Sequence, residues 1–226
     1  MKAPYNWHIK LLRKIHRINI DADTLFFALT LIVGVGSALV AIFIFEAIEF
    51  LSTVFKTHER PSWPSLIFGS LFILGSGYLT TRVSPESAGS GIPQTKIALV
   101  AHHGTIRFRD WILKLVASIL SLSSGVTLGR EGPTVAVTSG LGSSIGRLFG
   151  LNKTSVKSLV SVGSAGGIAA AFNTPIAAVT FTLEEIVGNL NAKALGPIVI
   201  SSVAAAVTAK VFYGGETMFS GIEYIF

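Results

Sequence analysis

Long apolar runs at 25–50, 65–81, 111–128, 134–149, 155–172, 175–187 and 195–212 constrain this chain's fold more than any other feature. A helical run of about 20 apolar residues matches the thickness of a bilayer core, and in lipid every backbone polar group must be satisfied inside its own segment. Only 13% of the residues are charged, against about 25% in an ordinary soluble domain. The mean hydropathy is +0.64. The chain therefore reads as an all-α, polytopic membrane protein. The runs at 134–149 and 175–187 are too short to cross the core upright, so tilted and partly spanning helices are expected. Such helices recur in transporters whose sites lie near the midplane.

The remaining composition narrows the function classes. Cysteine is absent, which removes any disulfide framework or thiolate metal site. The net charge of +6 does not point to nucleic acid. Lys2, Lys10, Arg13, Lys14 and Arg17 cluster before the first apolar run, which places the N-terminus in the cytoplasm by the positive-inside rule. Residues 1–22 are thus expected to be a cytoplasmic segment and 23–226 the membrane domain. The first run is too long for a signal-peptide core. The stretch 7–18 reads either as an interfacial amphipathic helix or as a solvated basic tail. His102 and His103 are adjacent and lack accompanying acids, so no metal site is expected. Asn152-Lys153-Thr154 is a glycosylation-type triplet of low specificity. No Walker run and no nucleophile–base pair stands out, so neither an enzyme nor a cofactor is expected. The spacings Gly142-x-x-x-Gly146 and Gly163-x-x-x-Gly167 predict close helix packing.

Two turns carry the chemistry. In Gly129-Arg130-Glu131-Gly132-Pro133 a carboxylate lies between glycines at the mouth of an apolar segment. Acids in membrane segments are costly and are read as functional by default. Glycine lets the backbone turn sharply, and Pro133 suits the first turn of a helix. A helix N-terminus presents unpaired N–H donors and partial positive charge, so it attracts anions. Glu131 can fill that anion site itself and vacate it on protonation, which is the physics of an anion gate. Gly89-Ser90-Gly91-Ile92-Pro93 repeats the arrangement with a hydroxyl in place of the acid, ahead of a short helix expected near 94–101. Taken alone, that second turn is equally a capped loop.

These two turns, followed by Ala169-Ala170-Ala171-Phe172-Asn173-Thr174-Pro175 and Phe181-Thr182-Leu183-Glu184-Glu185, resemble the CLC family of chloride channels and chloride/proton antiporters. The resemblance runs from about Asp23 onward and implies the first of the two inverted repeats of the CLC fold. It implies that the chloride-binding filter comprises Gly89, Ser90, Gly91, Ile92, Pro93, Gly129, Arg130, Glu131, Gly132 and Pro133. Within it, Ser90 coordinates the central chloride, and Glu131 is the gate and outer proton acceptor. Glu185 matches the inner proton-transfer glutamate of antiporters, where channels commonly have a non-acidic residue. Serine at position 90, rather than proline, implies chloride over nitrate. The partners implied are chloride, protons, the lipid bilayer and a second copy in a homodimer. The membrane expected is the plasma or inner membrane.

The second-repeat Gly-x-Phe-x-Pro turn and the late chloride-coordinating tyrosine are not found in this sequence. The chain is therefore expected to be part of a longer protein that supplies the second half of the pathway, or, alternatively, to assemble with a separate half. Other readings are a voltage-gated chloride channel without proton coupling and a non-conducting half-subunit that serves assembly.

Overall fold

The computed structural model describes residues 21–57, 63–188 and 192–213, and these are all helix, turn and loop. Helix α1 runs Ala22–Phe55 and α2 Trp63–Tyr78, the latter continuing into a π-helical turn, Leu79–Val83. A single 3-10 turn, Pro85–Ser87, leads to the short α3, Ile92–Val100. Then follow α4 Phe108–Leu122, α5 Glu131–Leu148, α6 Lys153–Phe172, α7 Pro175–Phe181 with a π-helical continuation Thr182–Val187, and α8 Ala192–Tyr213. The interfacial stretch 7–18 and the tail after Tyr213 lie outside the described residues.

Four of the described helical stretches are long and apolar enough to cross a bilayer: Asp23–Phe55, Trp63–Val83, Lys153–Phe172 and Ala194–Tyr213. The 9-residue α3 rises only about 14 Å at 1.5 Å per residue, well short of a core of about 30 Å. The expectation of partly spanning helices is met there and in the 7-residue α7.

Helix α2 shows which solvent the fold is built for. It exposes Leu66, Ile67, Leu71 and Leu74 and buries Ser65, Gly69 and Ser76. A water-soluble helix does the reverse. Lipid tails are as apolar as leucine, so leucine gains little by leaving them, whereas small residues allow close backbone approach and hydroxyls find partners inside. Ser76 Oγ accordingly donates to the Ala117 carbonyl of α4 at 2.9 Å.

The core forms around α6, whose residues from Leu159 to Ala171 are all buried. It packs against α1, α5, α7 and α8, most extensively against α5. The expected glycine spacings make this crossing. A Cβ on Gly142 of α5 would run into the Leu159 carbonyl, and one on Gly163 of α6 into the Thr138 carbonyl. The two backbones therefore touch at both points. Between them Ser139 Oγ and Ser164 Oγ share a buried hydrogen bond of 2.6 Å. On the other flank Ser201 of α8 donates to the Val162 carbonyl at 2.8 Å.

Helix α4 ends earlier than the apolar run 111–128 predicts. It stops at Leu122 because local hydroxyls compete for the backbone. Ser124 Oγ donates to the Ser121 carbonyl at 2.6 Å, and Thr57 Oγ1 donates to the Ser123 carbonyl at 2.6 Å. Gly125 then turns with φ +88°. The residues after it reach the Gly129 turn without regular structure. Asn152 also has a local role: its side chain caps α6 by accepting from the Ser155 N–H at 2.8 Å.

The crossing predicts a contrast between glycines. Gly163→Ala should destabilise the protein by about 1–3 kcal/mol, since an overpacked backbone contact must open. A methyl added at Gly77 would meet no atom within 4 Å. Gly77→Ala should therefore be neutral or stabilising by up to about 1 kcal/mol. Thermal unfolding in detergent checks both. Equal effects would contradict the backbone contact at Gly163.

Candidate functional site

Ser90 and Glu131 sit on two turns that the fold brings into direct contact. A Cβ on Gly132 would stand 2.5 Å from the Ser90 carbonyl oxygen. A Cβ on Gly91 would stand 2.7 Å from both the Ala136 Cβ and the Gly132 carbonyl oxygen. The N-terminal ends of α3 and α5 therefore abut, with glycine on each side of the contact. Any side chain at either position would separate them.

The first turn is fixed by a small set of polar bonds. Gly89 and Gly91 take φ of +79° and +110°, a region open to glycine. The Gly91 N–H donates to Gln94 Oε1 at 3.1 Å, and Gln94 Nε2 donates to the Ala88 carbonyl. Thr95 Oγ1 donates to the Gly91 carbonyl at 3.0 Å. The buried ammonium of Lys114, on α4, donates to the Gly89 carbonyl. Ser90 is exposed and its hydroxyl has no partner among the described residues. The turn is thus braced around a free hydroxyl.

The second turn opens α5. Glu131 is the first residue of that helix and is exposed, where the helix dipole favours a negative charge. Its carboxylate folds back over Gly129 so closely that a Cβ there would collide with Oε2. Thr134 Oγ1 donates to the Arg130 carbonyl at 2.8 Å. The Arg130 guanidinium carbon lies 4.9 Å from the centre of the Phe45 ring. Arg130 thereby rests against α1.

Glu185 belongs to neither turn but to the π-helical stretch after α7. Its Oε1 is 2.5 Å from Lys96 Nζ on α3. Glu184, its neighbour, is exposed. The sequence motifs singled out neither Lys96 nor Lys114. The signal for Lys114 was available: a cation inside an apolar run invites the same question as Glu131.

A cleft of about 570 Å³ reaches the first turn, lined in part by Gly91, Lys114, His102, His103, Arg107 and Asp110. Arg107 Nε donates to Asp110 Oδ2 at 2.6 Å, and this bond and the carboxylate's charge raise the guanidinium pKa. Both histidines are exposed. Among the described residues no group of three or more His, Asp or Glu side chains could hold a metal ion.

A buried ammonium, an unpartnered hydroxyl and two abutting helix N-termini thus meet in an apolar, all-helical fold. The Voltage gated chloride channel family model matches residues 70–225, and the chain belongs to that family, as the resemblance implied. It is 32% identical over 207 residues to the H(+)/Cl(-) exchange transporter ClcA of Vibrio cholerae, covering 87% of this chain and 44% of that protein. It is 30% identical over 209 residues to Chloride channel protein CLC-d of Arabidopsis thaliana, covering 82% of this chain and 26% of that one. Among solved structures, a slow cyanobacterial Cl-/H+ antiporter matches with a TM-score of 0.74 and 25% identity, over 88% of this chain and 49% of that chain. A CLC-type fluoride/proton antiporter matches with a TM-score of 0.73 and 25% identity, over 88% and 50%. The chain thus spans half or less of the length of these relatives. With the family and the apolar helices, it is an integral, multi-pass membrane protein.

Gly132→Ala should lower stability by about 1–3 kcal/mol, since the Ser90 carbonyl has no room to retreat without opening the turn. Pro133→Ala should change it by well under that. Thermal unfolding of the two variants checks the contact, and a wild-type melting curve for Gly132→Ala would refute it.

Proposed function

We propose that this chain supplies the first half of a chloride pathway in a protein that exchanges chloride for protons across a membrane. One observation carries the reading: the α3 and α5 N-termini abut, one ending in a free serine hydroxyl and the other in a carboxylate. Backbone donors and the Ser90 hydroxyl replace part of chloride's hydration shell, and the helix dipoles offset the cost of dehydrating it. The site uses no full positive charge in contact with the ion, so binding stays weak enough for release.

Glu131 competes with chloride for the α5 N-terminus. Ionised, it occupies the donors and closes the outer side. Protonated, it loses its attraction for them and swings away, and chloride takes its place. Each cycle therefore moves a proton onto Glu131 as the anion arrives. Glu185 receives protons from the inner side, and water between the two carboxylates completes the relay. The likeness to the Vibrio H(+)/Cl(-) exchange transporter and the cyanobacterial Cl-/H+ antiporter supports exchange with protons. Serine at position 90 supports chloride over nitrate, and the intact Gly-Pro turn supports it over fluoride.

The rest of the assembly is proposed with it. A second half completes the pathway, two complete subunits form a homodimer, and the N-terminus faces the cytoplasm of a plasma or inner membrane. A channel without proton coupling is the competing reading, and proton flux separates the two.

The test is paired flux measurement on the full-length protein in liposomes. Glu131→Gln should keep chloride flux and abolish its coupling to protons. Glu185→Gln should bring proton flux to background while chloride still moves. Proton coupling unchanged by Glu131→Gln would overturn the gate. Proton flux unchanged by Glu185→Gln would overturn antiport through that residue.

A further inference from the structure

The short helix α3 touches both halves of the proposed exchange. Its first turn abuts α5 through Gly91. Lys96, its only charged residue, pairs with Glu185 at 2.5 Å. Between Ile92 and Lys96 the helix rises only about 6 Å. We propose that Lys96 is a positioning residue that couples the proton state of Glu185 to anion binding at the Ser90 turn. The inference rests on the assignment of Glu185 as the inner proton acceptor.

Two features of the pair support coupling over bracing. The side chains are 43% and 46% exposed, and a half-exposed ion pair contributes little to stability. It can therefore break and reform during a transport cycle. Among the described residues, the ion pair that Glu185 forms is with Lys96; α8, which packs on the same segment through Ile198 and Ala194, carries Lys193 and Lys210. The carboxylate's own segment adds only the exposed Glu184, α7 carries no charge, and the lysines of α6, Lys153 and Lys157, stand in its first two turns.

The consequence is electrostatic and local. While Glu185 is ionised, it neutralises Lys96 and holds the ammonium toward the π-helical segment. When Glu185 takes up a proton, the pair loses its attraction and Lys96 carries an uncompensated positive charge on the helix whose N-terminus serves the anion. Anion binding at Ser90 then strengthens. By reciprocity, a bound anion favours the proton on Glu185. The cap of α3 is held by Gln94 and Thr95, so the charge on Lys96 acts on an N-terminus in a fixed position.

The experiment is flux and chloride titration on the full-length protein in liposomes, comparing wild type with Lys96→Met, Lys96→Arg and Glu185→Gln. Methionine keeps most of the length of the stem and removes the charge. Lys96→Met should raise the ratio of chloride to protons moved several-fold. Wild type should bind internal chloride more tightly on acidification, and Lys96→Met should abolish that tightening. Lys96→Arg should restore both, which a merely structural loss would not require. If Glu185→Gln stops proton flux while Lys96→Met leaves both readouts at wild-type values, the coupling proposal is overturned and the Glu185 assignment stands. If Glu185→Gln leaves proton flux intact, the assignment itself fails and the coupling proposal falls with it.

Discussion

The contact between Gly132 and the Ser90 carbonyl is the constraint on which the site depends. Two helix N-termini carry like partial charge and repel one another, so bringing them together has an energetic cost that something must offset. Part of the offset is steric. Glycine at positions 91 and 132 lets backbone meet backbone with no intervening side chain. Part is polar: Lys114, Gln94 and Thr95 engage the Gly89, Ala88 and Gly91 carbonyls. The rest is the carboxylate of Glu131 at the head of α5. That carboxylate stands at the exposed start of α5, where the helix dipole favours it.

The surrounding helices hold this contact with the means available to a protein in lipid. Hydrophobic burial gains little there, so α6 is wrapped through small residues and shared hydroxyls. The crossing of α5 and α6 at Gly142 and Gly163 fixes the direction in which α5 points its N-terminus. Short helices follow from the same need. The helix α3, which begins at the first turn, has nine residues, and α7 has seven. π-helical stretches continue α2 and α7, and Glu185 lies in the second.

Much of this was legible in the sequence. Length and hydropathy disclosed the membrane class and the short segments, and the glycine spacings disclosed the helix crossing. Gly-Ser-Gly and Gly-Arg-Glu-Gly disclosed the two turns ahead of α3 and α5, because each combines a conformational requirement with a polar group in an apolar setting. What stayed hidden depended on distance in space. Lys96 and Glu185 are 89 positions apart, and no local pattern links them. Lys114 meets Gly89 only after α4 folds back over the first turn. The early end of α4 was hidden for a different reason. Hydropathy treats 123–128 as continuous with the helix, while the hydroxyls of Ser121, Ser124 and Thr57 decide otherwise.

The central claim is that an anion sits where the two helix N-termini meet. Bromide is close to chloride in size and charge, and it scatters anomalously. Crystals of the full-length protein grown in bromide therefore test the claim directly. The account predicts an anomalous peak within hydrogen-bonding reach of the Ser90 hydroxyl, beside the Gly132 turn. Clear bromide peaks elsewhere with none at that junction would contradict it.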